Sequence, residues 1–276
     1  MDAISSFAAL CRRDHGFPSR QRRVALCAAL LVATMATPAL AVDWYTGDKT
    51  SEPDYTPSVV LDASGSFTTN QSNFGAAALT AALDSNMAQS GFRARLEGVG
   101  GGYSYFANAV PVAPATVGVR RKINAVEEEG GALVGYAWSS RAWTFALYGG
   151  ALVTNTTLDP NDPYNTTEGV HVGGKIVGEF YGNPTDKTML GGYASYGTNN
   201  NEYYSRLKAG YAIGHNIFIG PEFLALGNKF YSEYRAGAHI TGVRLAQLTI
   251  GVSGGVTSSS VDKSGAYAIV DARLGF

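Results

Sequence analysis

The chain has 276 residues, 45% of them hydrophobic and 16% charged, with a net charge of −1. Setting aside the first 41 residues, with their five Arg and two Asp, leaves 16 basic residues against 20 acidic ones and no sign of a nucleic-acid partner. Cys11 and Cys27 also lie in those 41 residues, so the rest has no disulfide, thiolate nucleophile or cysteine metal site.

Residues 1–23 are Arg-rich, and "VALCAALLVATMATPALA" (24–41) follows, an apolar run ending in small residues. This is the form of a secretory signal peptide, with cleavage expected after Ala41. An uncleaved membrane anchor fits less well, because the run is short and contains Pro38. Residues 42–57 then form a short periplasmic segment, and 58–276 form one domain. Glycine is about twice as frequent as the usual roughly 7%. It has no Gly-X-Y period and sits among Tyr, Phe, Val and Ala, as expected of bends and close approaches in strands.

Twelve segments of 10 to 16 residues follow, most of them alternating in polarity: 58–69, 73–84, 91–106, 129–140, 142–154, 167–181, 186–198, 202–214, 216–227, 229–241, 243–255 and 264–276. In "GFRARLEGV" (91–99), Arg93, Arg95 and Glu97 share one face, opposite Phe92, Ala94 and Leu96. The second segment, "FGAAALTAALDSN", taken alone also fits a helix. Turns are expected at 139–141, 182–186, 214–216 and 241–242, and longer loops at 107–128, 154–165 and 257–264. Alternate short and long connections around an even number of strands predict an all-β, transmembrane, up-and-down antiparallel barrel of about twelve strands.

Alternation alone leaves open which face is inside. A lipocalin-like barrel would put the apolar face inward. Here that face is largely Ala, Gly and Val, too small to fill a twelve-stranded lumen, and the segments match the length a tilted strand needs to cross a bilayer. Trp138 and Trp143 flank a turn, as membrane-boundary rings do. The expectation is therefore oily outside and polar inside. The last segment, "AYAIVDARLGF" (266–276), places Ala268, Val270, Ala272, Leu274 and Phe276 on one face and Tyr267, Ile269, Asp271, Arg273 and Gly275 on the other. It resembles the C-terminal signal read by the machinery that inserts Gram-negative barrels, with Phe276 as its terminal aromatic.

The lumen-facing charges are Arg93, Arg95, Glu97, Lys175, Glu179, Arg206, Lys208, Glu222, Glu233, Arg235, Asp271 and Arg273. They either contact a polar ligand or pair with one another to fill the barrel, and the second reading is favoured. His171, His215 and His239 are not spaced as metal ligands, no Ser-His-acid or paired-carboxylate signature stands out, and "GVGGG" (98–102) lacks the context of a phosphate loop. No catalytic residue, metal or cofactor is expected. Tyr103, Tyr105, Tyr193, Tyr196, Tyr203, Tyr204, Tyr231 and Tyr234 are read as an interfacial girdle rather than as sugar-stacking platforms.

Two stretches, "GFRARLEGVGGGYSY" (91–105) and "IGPEFLALGNKFYSEYRAGAHITG" (219–242), together with "YASYGT" (193–198), resemble the cellulose biosynthesis protein BcsS family of alphaproteobacteria. The resemblance implies a non-enzymatic accessory of cellulose biosynthesis or export in the Gram-negative outer membrane. Its partners would be outer-membrane lipid and, beyond that, cellulose (β-glucan) or other cellulose-secretion components. Glu222 and Arg235 carry the family-like pattern best. The alternatives are a small general porin or surface-antigen barrel, and a lipid-modifying barrel enzyme.

Overall fold

The computed structural model describes residues 57–84, 86–110, 119–261 and 264–276. The expected signal peptide and residues 42–56 lie outside the described residues. Twelve strands run in order: β1 (Val59–Thr68), β2 (Asn73–Ala82), β3 (Gly91–Val110), β4 (Val119–Ser139), β5 (Trp143–Asp159), β6 (Gly169–Thr185), β7 (Thr188–Gly197), β8 (Glu202–Gly214), β9 (Ile217–Gly227), β10 (Ser232–Leu245), β11 (Leu248–Ser259) and β12 (Gly265–Gly275). Each pairs antiparallel with its sequence neighbours, and β12 returns to β1, closing the barrel. The second segment, ambiguous by itself, is strand β2, because β1 and β3 both need a partner there. Among the described residues no helix is long and apolar enough to cross a membrane, which leaves crossing by strands untouched.

The seam is in register from Val60↔Gly275 to Thr68↔Tyr267. Phe276 adds three backbone hydrogen bonds to it. Its N–H donates to the Val59 carbonyl (2.8 Å), and its carbonyl accepts from Ser58 (2.9 Å) and Val59 (3.2 Å). With every ladder closed, no sheet edge is left to face hydrocarbon, where an unpaired backbone group costs several kcal/mol.

The two faces have the expected inversion. Large apolar side chains lie exposed on the outside, among them Phe92 (59%), Leu96 (61%), Val172 (76%) and Ile176 (59%). Inside, Arg95, Glu222, Glu233 and Asp271 are at most 1% exposed. An exterior of this kind is stable only when lipid covers it.

The strands differ from expectation at three places. The loop expected over 107–128 is mostly strand, since β3 and β4 stay paired out to Val110↔Val119. The loop expected at 154–165 likewise begins as strand, with β5 continuing to Asp159. These extensions read as loop because their outward residues turn polar (Lys122, Asn124, Asn155, Asp159), while Ile123, Ala125 and Leu158 are buried inward. The polarity of a membrane barrel gives way there to that of a water-exposed hairpin. Thirdly, the turn expected at 241–242 is a β-bulge between Ile240 and Val243, and the hairpin closes at Ala246–Gln247 instead. The extra residue shifts parity, so Val243 and Leu245 still point outward.

Gly242 sits in this bulge at φ +88°, and an added Cβ would meet the Asn216 carbonyl oxygen at 1.7 Å. Nothing lies within 4 Å of a Cβ added at Gly178. Gly242→Ala is therefore expected to cost about 1–3 kcal/mol and to lower the temperature at which the folded band is lost in heat-modifiability gels. Gly178→Ala should leave that temperature unchanged.

Candidate functional site

Three layers of side chains fill the barrel. At the short-turn end Tyr181, Met189 and Phe218 form a small apolar cluster. Above it the charged residues of the alternating strands meet, because strand parity sends each of them inward. Arg95 Nη1 donates to Glu179 Oε2 (3.0 Å) and Arg95 Nε lies 3.2 Å from Glu97 Oε2. Its guanidinium also stands over the Tyr148 ring at 5.1 Å and the Tyr193 ring at 5.8 Å. Lys175 reaches Glu97 Oε1 (2.5 Å) and pairs with Glu129.

Across the lumen, Arg206 donates to Glu222 Oε2 from Nε (2.9 Å) and to Asp271 Oδ1 from Nη1 (3.0 Å). Lys208 donates to Asp271 Oδ2 at 3.0 Å. Arg235 Nε donates to Glu233 Oε1 (2.9 Å), Arg235 also reaches Ser66, and Tyr231 Oη donates to Glu233 Oε2 (2.7 Å). Arg273 takes both oxygens of Asp62, at 2.8 and 3.1 Å, directly across the β1–β12 seam.

Three of these contacts are chords rather than neighbour pairs. Arg95 on β3 meets β6, Arg206 on β8 meets β12, and Arg235 on β10 meets β1. The middle of the barrel is thus crossed by ion pairs, Arg206–Asp271 fully buried and Arg95–Glu179 nearly so. Glu222 and Arg235 do not bond to each other. They are joined through Tyr267, whose hydroxyl donates to Glu222 Oε1 (2.9 Å) and whose ring lies 5.6 Å under the Arg235 guanidinium. Arg93 lies at the edge of the network, against Tyr148. It donates to the Met87 carbonyl (2.9 Å) and holds the β2–β3 connection.

The third layer is a vestibule at the long-loop end. Tyr103, Tyr193, Tyr204 and Tyr231 line it, with Glu97, Glu127, Glu129 and Glu202, and Lys175 and Arg235 form part of its floor. Tyr103 and Tyr231 lie 5.3 Å apart, and Tyr193 meets Tyr204 edge-on at 5.7 Å. The girdle reading fails for Tyr103, Tyr193 and Tyr231, which are at most 7% exposed inside the barrel, whereas Tyr234 (60%) and Tyr196 (42%) face outward. Parity separates the two groups, since Tyr193 shares the inward face with Met189, and Tyr196 lies opposite. The sequence reading also missed Asp62, Glu127, Glu129 and Glu202. Asp62 alternates with the inward Ser64 and Ser66, whereas the three glutamates were hidden by the misplaced start of β4 and by the strand end at Glu202.

Removing one member of such a network leaves its partners charged and buried, which costs about 3–5 kcal/mol. Arg206→Leu is expected to lower the midpoint of urea unfolding in detergent accordingly. An exposed-loop substitution such as Tyr164→Ala should leave the midpoint in place.

A search of curated proteins finds no match by sequence. Among solved structures the chain is similar to LpxR from Salmonella typhimurium, at 13% identity and a TM-score of 0.44, covering 79% of this chain and 100% of that one. It is also similar to the KdgM porin (9%, 0.39, 79% and 99%). The transport unit of the autotransporter AIDA-I from Escherichia coli gives 10%, 0.41, 83% and 92%. None of these likenesses carries an argument about activity. A family model described as cellulose biosynthesis protein BcsS matches residues 63–276, most of the chain and nearly all of the barrel, and the chain belongs to that family.

Proposed function

We propose that the protein is a non-enzymatic accessory of cellulose biosynthesis, exported by its signal peptide to the outer membrane of a Gram-negative bacterium. There it acts by holding partners rather than by conducting solutes. The family membership supports the cellulose link. The observation that carries the mode of action is the packed lumen. Side chains at most 1% exposed, such as Arg95, Glu222 and Asp271, stand where a porin would hold water. A general porin needs the opposite arrangement. In this reading lipid covers the outer face, and the loop end meets cellulose or other cellulose-secretion components.

The lumen charges then serve mainly to hold the barrel. Glu222→Ala and Arg235→Ala should each reduce the folded band in heat-modifiability gels, with cellulose output falling in proportion. Phe276, which closes the seam and ends the proposed insertion signal, should behave similarly, with Phe276→Ala reducing the barrel recovered from outer membranes. The whole reading is tested by two measurements. Reconstituted in planar bilayers, the protein should give no stable conductance steps, and steps like those of a porin would overturn the closed-lumen role. A deletion strain should bind less cellulose dye than its parent, and unchanged staining would overturn the cellulose role.

A further inference from the structure

The vestibule has a feature that the ion-pair network does not explain. Its cavity of about 130 Å³ has room for several waters. It is blind, because Lys175 and Arg235 with their partners block its inner side. Four carboxylates against two cations line it. Glu97 and Glu129 are taken up by Lys175, whereas Glu127 and Glu202 have no cationic partner among the described residues. Glu202 Oε1 accepts only a long bond from Asn200 (3.4 Å), and its Oε2 is buried without a hydrogen-bond partner. Between these acids and the floor stands Tyr204, half-buried, its ring braced edge-on by Tyr193.

We propose that the vestibule binds the end of a neutral β-linked glucan chain, with Tyr204 as the stacking face and Glu127 and Glu202 as acceptors for sugar hydroxyls. The proposal rests on the cellulose reading above and names its ligand and site. Carboxylates that lack cations accept strongly from hydroxyl donors. A flat aromatic ring offers an apolar surface to the C–H face of a pyranose. Both cations of the lining are already paired, Lys175 with Glu97 and Glu129 and Arg235 with Glu233, which disfavours anionic saccharides, and the blocked floor admits a chain end but not a threaded chain.

The test is calorimetric titration of the full-length barrel in detergent with cellohexaose, and separately with an oligogalacturonate of equal length. Cellohexaose should bind saturably and the oligogalacturonate should not. Tyr204→Leu, Glu202→Gln and Glu127→Gln, each checked for folding by heat-modifiability, should each weaken cellohexaose binding at least tenfold. Lys187→Ala, in the exposed β6–β7 turn at the opposite end of the barrel, should change it less than twofold. The proposal is overturned if cellohexaose fails to bind, if the folded variants bind like wild type, or if the oligogalacturonate binds as tightly. No cellohexaose binding alongside a cellulose defect in the deletion strain would remove this site and leave the accessory role standing. Binding that is lost in the variants, alongside normal cellulose in the deletion strain, would remove the accessory role and leave the site.

Discussion

A charge inside this barrel has no water to turn to, and that constraint organises the molecule. Burying an ion without a partner is costly, and the charges in the middle of the lumen are paired with opposite charges. The chain meets the demand with pairs between neighbouring strands, Arg206 to Glu222 and Arg273 to Asp62, and with chords, Arg95 to Glu179 and Arg206 to Asp271. The two chords tie strands that are not neighbours in the barrel, so they brace its cross-section as the backbone ladder fixes its circumference. The Asp62–Arg273 pair lies on the seam itself, where one pairing serves both purposes.

The same packing separates structure from function along the barrel axis. The short-turn end and the middle are sealed by apolar and ionic side chains. Among the described residues the long-loop end opens, and there the lining changes to tyrosines and glutamates, of which Glu127 and Glu202 take no part in the seal. The β5–β6 connection closes over one side of this mouth, where Tyr105 Oη donates to Asp162 Oδ2 and accepts from Asn165 Nδ2, both at 2.8 Å. A barrel built in this way presents a shaped cup to one side of the membrane.

Much of this was legible in the sequence because a period of two survives wherever a strand has lipid on one side. Strand β8 has the span read from its alternation, 202–214. The inward placement of Arg95, Glu97, Lys175, Glu179, Arg206, Glu222, Glu233, Arg235 and Arg273 follows from parity alone. What was lost was lost for physical reasons. Above the bilayer the outward residues of β4 and β5 turn polar, so Glu127 looked like part of a loop and Glu129 like the first residue of its strand. The bulge at Thr241–Gly242 imitates a turn in composition. Chords between distant strands, such as Arg206 to Asp271, leave no local trace, because alternation gives the face of a residue and not its height or its opposite number.

The account depends on which side of each strand meets lipid, and strand β6 tests this most directly. Single cysteines at 170–180 would carry a nitroxide label, with Cys11 and Cys27 both preceding the cleavage expected after Ala41. In liposomes, accessibility to oxygen should be high at Val170, Val172, Ile176 and Phe180. It should be low for both oxygen and an aqueous nickel reagent at Lys175, Val177 and Glu179. Strong nickel accessibility at the outward positions, or no alternation at all, would contradict an exterior solvated by lipid around an ionic interior.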